Sequence, residues 1–123
     1  MNIDEVVEEI KSQYPGSNIV IQDEDGYLEI IVEVEPTADH PEYSRAVIVA
    51  GKSRPHFHKR STEIYRVLRG KMKVAVDGRI HELVAGDEIT IKPGQVHSLA
   101  AERVWFEAIS RPGWTKDDHF LED

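Results

Sequence analysis

Apolar residues recur at two different periods along this chain, and the change falls at Pro15-Gly16. Ahead of it, Ile3, Val6, Val7 and Ile10 stand at i, i+3, i+4 and i+7, one face of a helix. The spacing predicts a helix over residues 2–14. Asn2 serves as its cap, acids crowd its first turns, and Lys11 lies in its last. That apolar face is expected to lie against a barrel or a dimer partner. Behind Pro15-Gly16 the period becomes two. Residues 18–22 are short and branched, and Asp25-Gly26 is a hairpin signal. Leu28, Ile30, Val32 and Val34 then alternate with Glu29, Ile31, Glu33 and Glu35, which reads as an apolar inner face and an acidic outer one.

A polar loop over residues 36–43 carries His40, and an extended apolar run follows at 45–50. Met72, Val74 and Val76 share one face up to the two-residue turn Asp77-Gly78. The return strand puts Ile80 and His81 on opposite faces, with His81 toward solvent. Ile89 and Ile91 lead to Pro93-Gly94, residues 104–109 form the last strong strand, and residues 111–120 read as irregular. Close-spaced strands with one leading helix predict an all-β fold, an antiparallel jelly-roll barrel. One domain is expected over 1–123: a helix at 1–16, the barrel at 18–110 and a tail at 111–123.

With 123 residues, 40% of them hydrophobic, the chain suits a single core. No run approaches the ~20 apolar residues that cross a bilayer. The acidic start Met1-Asn2-Ile3-Asp4-Glu5 has the wrong charge for a secretory signal, so a cytoplasmic protein without membrane partners is expected. The absence of cysteine removes thiolate metal sites and cysteine nucleophiles, leaving nitrogen and oxygen as metal donors. A formal net charge of −8 argues against a nucleic-acid partner, but not against a small-molecule ligand in a locally basic site.

Candidate chemistry gathers in residues 51–70. In an extended strand the His56-x-His58 spacing points both imidazoles to one side. Glu63 opens the next apolar run, and His97 follows a second punctuated stretch. Three imidazoles and one carboxylate suit a divalent first-row metal, whether Mn, Fe, Ni, Co, Zn or Cu. Tyr65 shares strand parity with Glu63 and is the candidate catalytic side chain, its alternative being a packed tyrosine. Arg54, Lys59 and Arg60 flank the ligands as anion attractors or as solvated loop charges. Glu107 is a candidate base, or else an outer-face residue. Trp105 and Phe106 point to opposite faces, and Trp114 packs over the barrel or in an interface. His40, His81 and His119 read as surface histidines.

These stretches resemble the two motifs of the cupin superfamily. The first comprises Gly51, His56, His58, Glu63 and Gly70; the second comprises Gly86, Pro93, Gly94 and His97. The short gap of residues 71–85 is similar to that of small single-domain cupins. Lys92 stands where proline is common, and Ala101 where an asparagine often follows the last histidine. The resemblance implies a double-stranded β-helix, an RmlC-like barrel, with one metal on His56, His58, Glu63 and His97. It also implies a homodimer. The implied activities are broad: isomerase, epimerase, dioxygenase or decarboxylase chemistry on a sugar, sugar phosphate or organic acid. The alternative is a non-catalytic small-molecule-binding or sensor module.

Overall fold

The computed structural model describes residues 1–122; Asp123, the end of the expected tail, lies outside them. Helix α1 (Ile3–Gln13) is followed by strands β1 (Asn18–Glu24), β2 (Tyr27–Glu35), β3 (Ser44–Lys52), β4 (His56–Phe57), β5 (Thr62–Arg69) and β6 (Lys71–Val76). Then come β7 (Arg79–Val84), β8 (Glu88–Ile91), β9 (His97–Arg111), a 3-10 turn (Lys116–Asp118) and β10 (Phe120–Leu121). Every strand pair is antiparallel. The architecture is the expected all-β jelly roll. No helix among the described residues is long and apolar enough to cross a membrane.

Strand β9 organises the barrel. The expected strand at 104–109 is the second half of a fifteen-residue strand that begins at His97. Its first residues pair with β6 and, at His97, with His56 of β4. Its second half lies between β3 and β5. Asp25-Gly26 and Asp77-Gly78 make the expected tight turns, both residues of each at positive φ. Gly70 is required for another reason besides its φ of +87°. A Cβ there would stand 2.8 Å from the Arg103 carbonyl oxygen of β9.

Two apolar clusters lie on opposite sides of the sheet. The barrel interior holds Tyr65, Val67, Val74, Ile91, Leu99 and Phe106. Outside it, Val6 and Ile10 of α1 cover Ile30, Val32, Val47, Val49 and Trp105. Asn2 caps the helix by accepting the Glu5 N–H at 3.1 Å. Val6 and Ile10 are 2% and 0% exposed, and each such side chain contributes about 1.5–3 kcal/mol of burial. Arg69 ties the helix down by pairing with Glu9 at 3.0 Å and lying 3.9 Å over the Trp105 ring. Because both faces of β3 are covered, its sequence runs apolar without alternation.

This arrangement reverses the expected sidedness of β2. Its apolar face, Ile30 and Val32, meets the helix. Its acidic face, with Glu29, Ile31, Glu33 and Glu35, lines a cavity in the barrel. A wet cavity tolerates carboxylates, whereas the helix-covered exterior does not. A similar correction applies to β7. His81 pairs with Val74, whose side chain points to the core, so His81 is half-buried, while Ile80 is 68% exposed. The tail is also ordered: β10 pairs with β4.

Candidate metal centre

The first site residues come from a very short strand. His56 on β4 stands in register with His97 on β9, and His58 follows on the same side. Glu63 comes from the start of β5, with the inward parity that it shares with Tyr65 and Val67. The four side chains are 7%, 3%, 5% and 1% exposed in the order His56, His58, Glu63, His97. One donor atom from each lies within 4.8 Å of all the others. Glu63 Oε1 is 2.9 Å from His58 Nε2 and 3.2 Å from His97 Nε2.

Hydrogen bonds on the far side of each ring settle where its proton sits. Nδ1 of His56 lies 2.8 Å from the Arg54 carbonyl oxygen, that of His58 2.7 Å from Asp118, and that of His97 3.0 Å from Gln95. A carbonyl oxygen only accepts, so each Nδ1 carries the hydrogen and each Nε2 keeps a lone pair. Ser110 Oγ donates to Glu63 Oε2 at 3.1 Å and turns Oε1 toward the histidines. Buried His58 Nε2, His97 Nε2 and Glu63 Oε1 have no hydrogen-bond partner among the described residues. Leaving such atoms unpaired costs about 1–3 kcal/mol each, so the centre calls for positive charge. The donor set fits a divalent metal held by nitrogen and oxygen.

The electrostatics agree. Burial pushes the Glu63 carboxyl up, but His58 and His97 outweigh it and hold the group well below the usual carboxylate range. Burial lowers His58, and the Glu63 carboxylate more than reverses this, so its pKa is raised. Burial, then the charge of His97, pushes His56 down to about 3. His119 is lowered too, by burial and then by His58. Between about 3 and the ordinary 6.5, the unfolded chain therefore takes up a proton at His56 that the folded chain refuses. At His56 this costs the metal-free protein stability as pH falls through that window, whereas Glu29, whose carboxyl is pushed up to about 7, adds stability over much of the same range. His58, being raised, acts in the opposite sense, adding stability as pH falls toward its ordinary 6.5. Urea unfolding with chelator at pH 7 and pH 5 checks the His56 part: His56→Gln should raise stability at pH 5 relative to pH 7, compared with the parent.

Not all sequence expectations survive at this site. His119, read as a surface histidine, stacks on His56 with centroids 4.4 Å apart and 13° between planes, and it lines the cavity. The pairing of β10 with β4 brings it back from the tail. One signal was visible in the chain: the dipeptide His-Phe occurs at 56–57 and again at 119–120, and Phe57 and Phe120 pair and stack at 5.3 Å. Trp114 also lines the cavity, its indole N–H donating to His119 Nδ1 at 3.2 Å. His40 lies away from the centre, 3.7 Å from Glu35.

Glu107 is not a cavity base. It lies on the outward parity of β9 and is buried between Arg45 and Arg66. Phe106 points into the barrel behind Tyr65, and Trp105 points to the helix. The three flanking cations turn elsewhere: Arg54 to Asp25, Arg60 to Asp117, and Lys59 over the Phe120 ring. Tyr65 reaches the cavity, packed on Phe106 at 4.9 Å and edge-on to His97 at 5.8 Å. Burial raises its phenol well above the ordinary value, so it stays protonated at neutral pH.

A jelly-roll barrel with a buried three-histidine, one-glutamate cluster opening on an interior cavity defines a recognisable class. A model of the Cupin domain family matches residues 45–103. A cupin-2 domain from Rhodospirillum rubrum superposes with a TM-score of 0.76 at 15% identity, over 89% of this chain and 78% of that one. Pac13 of Streptomyces, a nucleoside dehydratase, does so in a uridine-bound variant with a TM-score of 0.71 at 15% identity, over 85% of each chain. A predicted oxalate decarboxylase from Thermotoga maritima gives 0.70 at 18% identity, over 79% of this chain and 94% of that one. A 46-residue stretch, 37% of this chain, is 42% identical to the probable oxidoreductase patJ of Penicillium expansum. That stretch spans only 14% of patJ. Residues 45–103 thus match a cupin domain, and the barrel as a whole has the cupin fold.

Proposed function

We propose that this cupin-fold protein is a metal-dependent enzyme acting on a small polar substrate, with His56, His58, Glu63 and His97 holding one divalent transition metal. The observation that carries the reading is the convergence of three imidazole lone pairs and one carboxylate oxygen, with His56, His58 and Glu63 of that cluster lining a cavity of about 350 Å³. That volume is near the lower end of small-molecule pockets. A bound metal there supplies Lewis-acid and templating chemistry.

The lining narrows the substrate. Glu29, Glu33 and Glu35 face the cavity. Arg45, the one Lys or Arg of the lining among the described residues, is already held by Glu35 at 3.3 Å and Glu107 at 3.2 Å. Carboxylates repel a phosphate and accept hydroxyl donors, so an uncharged sugar-like molecule is favoured over a sugar phosphate or an organic acid. Burial, then the charge of Glu63, pushes Glu29 up to about 7, where a carboxyl exchanges protons readily at neutral pH. Tyr65 is the second proton-bearing group, kept as a donor by its burial.

Metal analysis of the purified chain should find about one transition metal per chain, and a substrate screen on that preparation tests turnover. A chain that takes up none at micromolar metal overturns the reading. Tyr65→Phe keeps the ring and removes one hydroxyl. It should lower turnover by about 100-fold or more, with metal content unchanged. Retained activity would make Tyr65 a packing residue. A ligand that raises the melting temperature only with metal, without turnover, would favour a binding module. The homodimer implied by family resemblance stays part of this reading, and sedimentation of the same preparation checks it.

A further inference from the structure

The three histidines are not held alike. His56 and His97 hydrogen-bond through Nδ1 to carbonyls two residues before them, so each is oriented by its own strand. His58 takes its carbonyl from Asp118, sixty residues downstream, at 2.7 Å. Asp118 itself is only 3% exposed. Its Oδ1 accepts the N–H of Lys59 at 2.9 Å and of Arg60 at 3.2 Å. Its Oδ2 accepts the N–H of Arg60 and of Ser61, each at 3.2 Å. One residue thus grips the loop directly after His58 with its carboxylate and the His58 ring with its carbonyl. These are charge-assisted bonds to a buried carboxylate, three of them part-buried and the one from Ser61 buried. The tail that carries Asp118 is docked independently, by pairing of β10 with β4 and by Ser61 Oγ donating to the Pro112 carbonyl at 2.9 Å.

We propose that Asp118 is a positioning residue of the metal centre, and that through it metal binding at His58 and docking of the C-terminal tail are coupled. The inference rests on the metal-centre reading above. With Asp118 in place, the His58 ring has one tautomer and one orientation, and its Nε2 lone pair points at the other donors. Without the grip, residues 59–61 lose their acceptors, the turn withdraws, and His58 rotates freely. Coupling works both ways: what docking adds to metal affinity, metal adds to docking.

Titration with Co²⁺, followed by its visible absorption, tests this without any substrate. Asp118→Ala should weaken Co²⁺ binding by about 10–100-fold and alter the ligand-field spectrum of the loaded protein. Asp118→Asn keeps the shape and one acceptor oxygen, so it should recover part of the affinity. It also carries the test if the alanine variant does not fold. Asp117→Ala, next door and on the surface with its carboxylate toward exposed Arg60, should bind within about two-fold of the parent. In the parent, Co²⁺ should slow amide hydrogen exchange at Lys59, Arg60 and Ser61. Folded Asp118 variants with unchanged Co²⁺ affinity and spectrum would overturn the inference while leaving the metal centre standing, as would exchange at 59–61 that ignores Co²⁺. A parent chain that binds no Co²⁺ would overturn the metal centre and this inference together.

Discussion

His58→Ala should reduce affinity for a divalent transition metal by at least about 100-fold, abolish any metal-dependent turnover, and leave the barrel folded. Changing a residue that merely orients a ligand typically costs 10–100-fold, so removing the ligand itself should match or exceed the upper figure. The fold should survive because the interior is built by Val67, Val74, Leu99, Phe106 and their neighbours, not by the four donors. Metal at 100 times its Kd stabilises the parent by about 2.7 kcal/mol, an increment the variant should lack. Melting with and without metal reads this directly. A variant that still gains the full increment would place the metal elsewhere.

Phe106→Ala should be the most damaging single truncation, costing about 3–5 kcal/mol. Phe106 is 0% exposed, on the inner face of the strand that joins both halves of the barrel. Its ring supports Tyr65 at 4.9 Å, which in turn lies edge-on to His97. A cavity at Phe106 therefore loosens the wall behind the metal centre as well as the core. Urea unfolding should show a lower midpoint with an unchanged slope, and metal affinity should fall less than in His58→Ala. A loss under about 1 kcal/mol would mean that the core collapses around the gap.

Local physics was legible from residues alone. The 3.6 period of Ile3, Val6 and Ile10 made a helix, and Asn2 capped it. The Asp-Gly pairs made tight turns because both positions need positive φ, which glycine and aspartate tolerate. The His56-x-His58 spacing put two imidazoles on one side, and the punctuation around Glu63 and His97 brought in two more donors. These features depend on neighbours a few residues apart, or on motifs already known to converge.

Sidedness and return contacts were decided only in three dimensions. The alternation in β2 shows two faces but not which one is inside, because a period of two is blind to what covers each face. Once α1 lies on the outer surface, the apolar side of β2 must turn outward and its glutamates face the cavity. The same blindness exchanged Ile80 and His81, whose places were set by pairing with Val74 and its neighbours. The roles of Asp118, His119 and Trp114 were hidden for a different reason. Their partners lie dozens of residues away, at positions that no local period can register. By itself the sequence determined most of the elements and their turns, which rest on short-range geometry, and it named the candidate donors through their resemblance to known motifs. Only the tertiary structure decided which face became the cavity, and that the tail completes the site, since both rest on long-range burial and pairing.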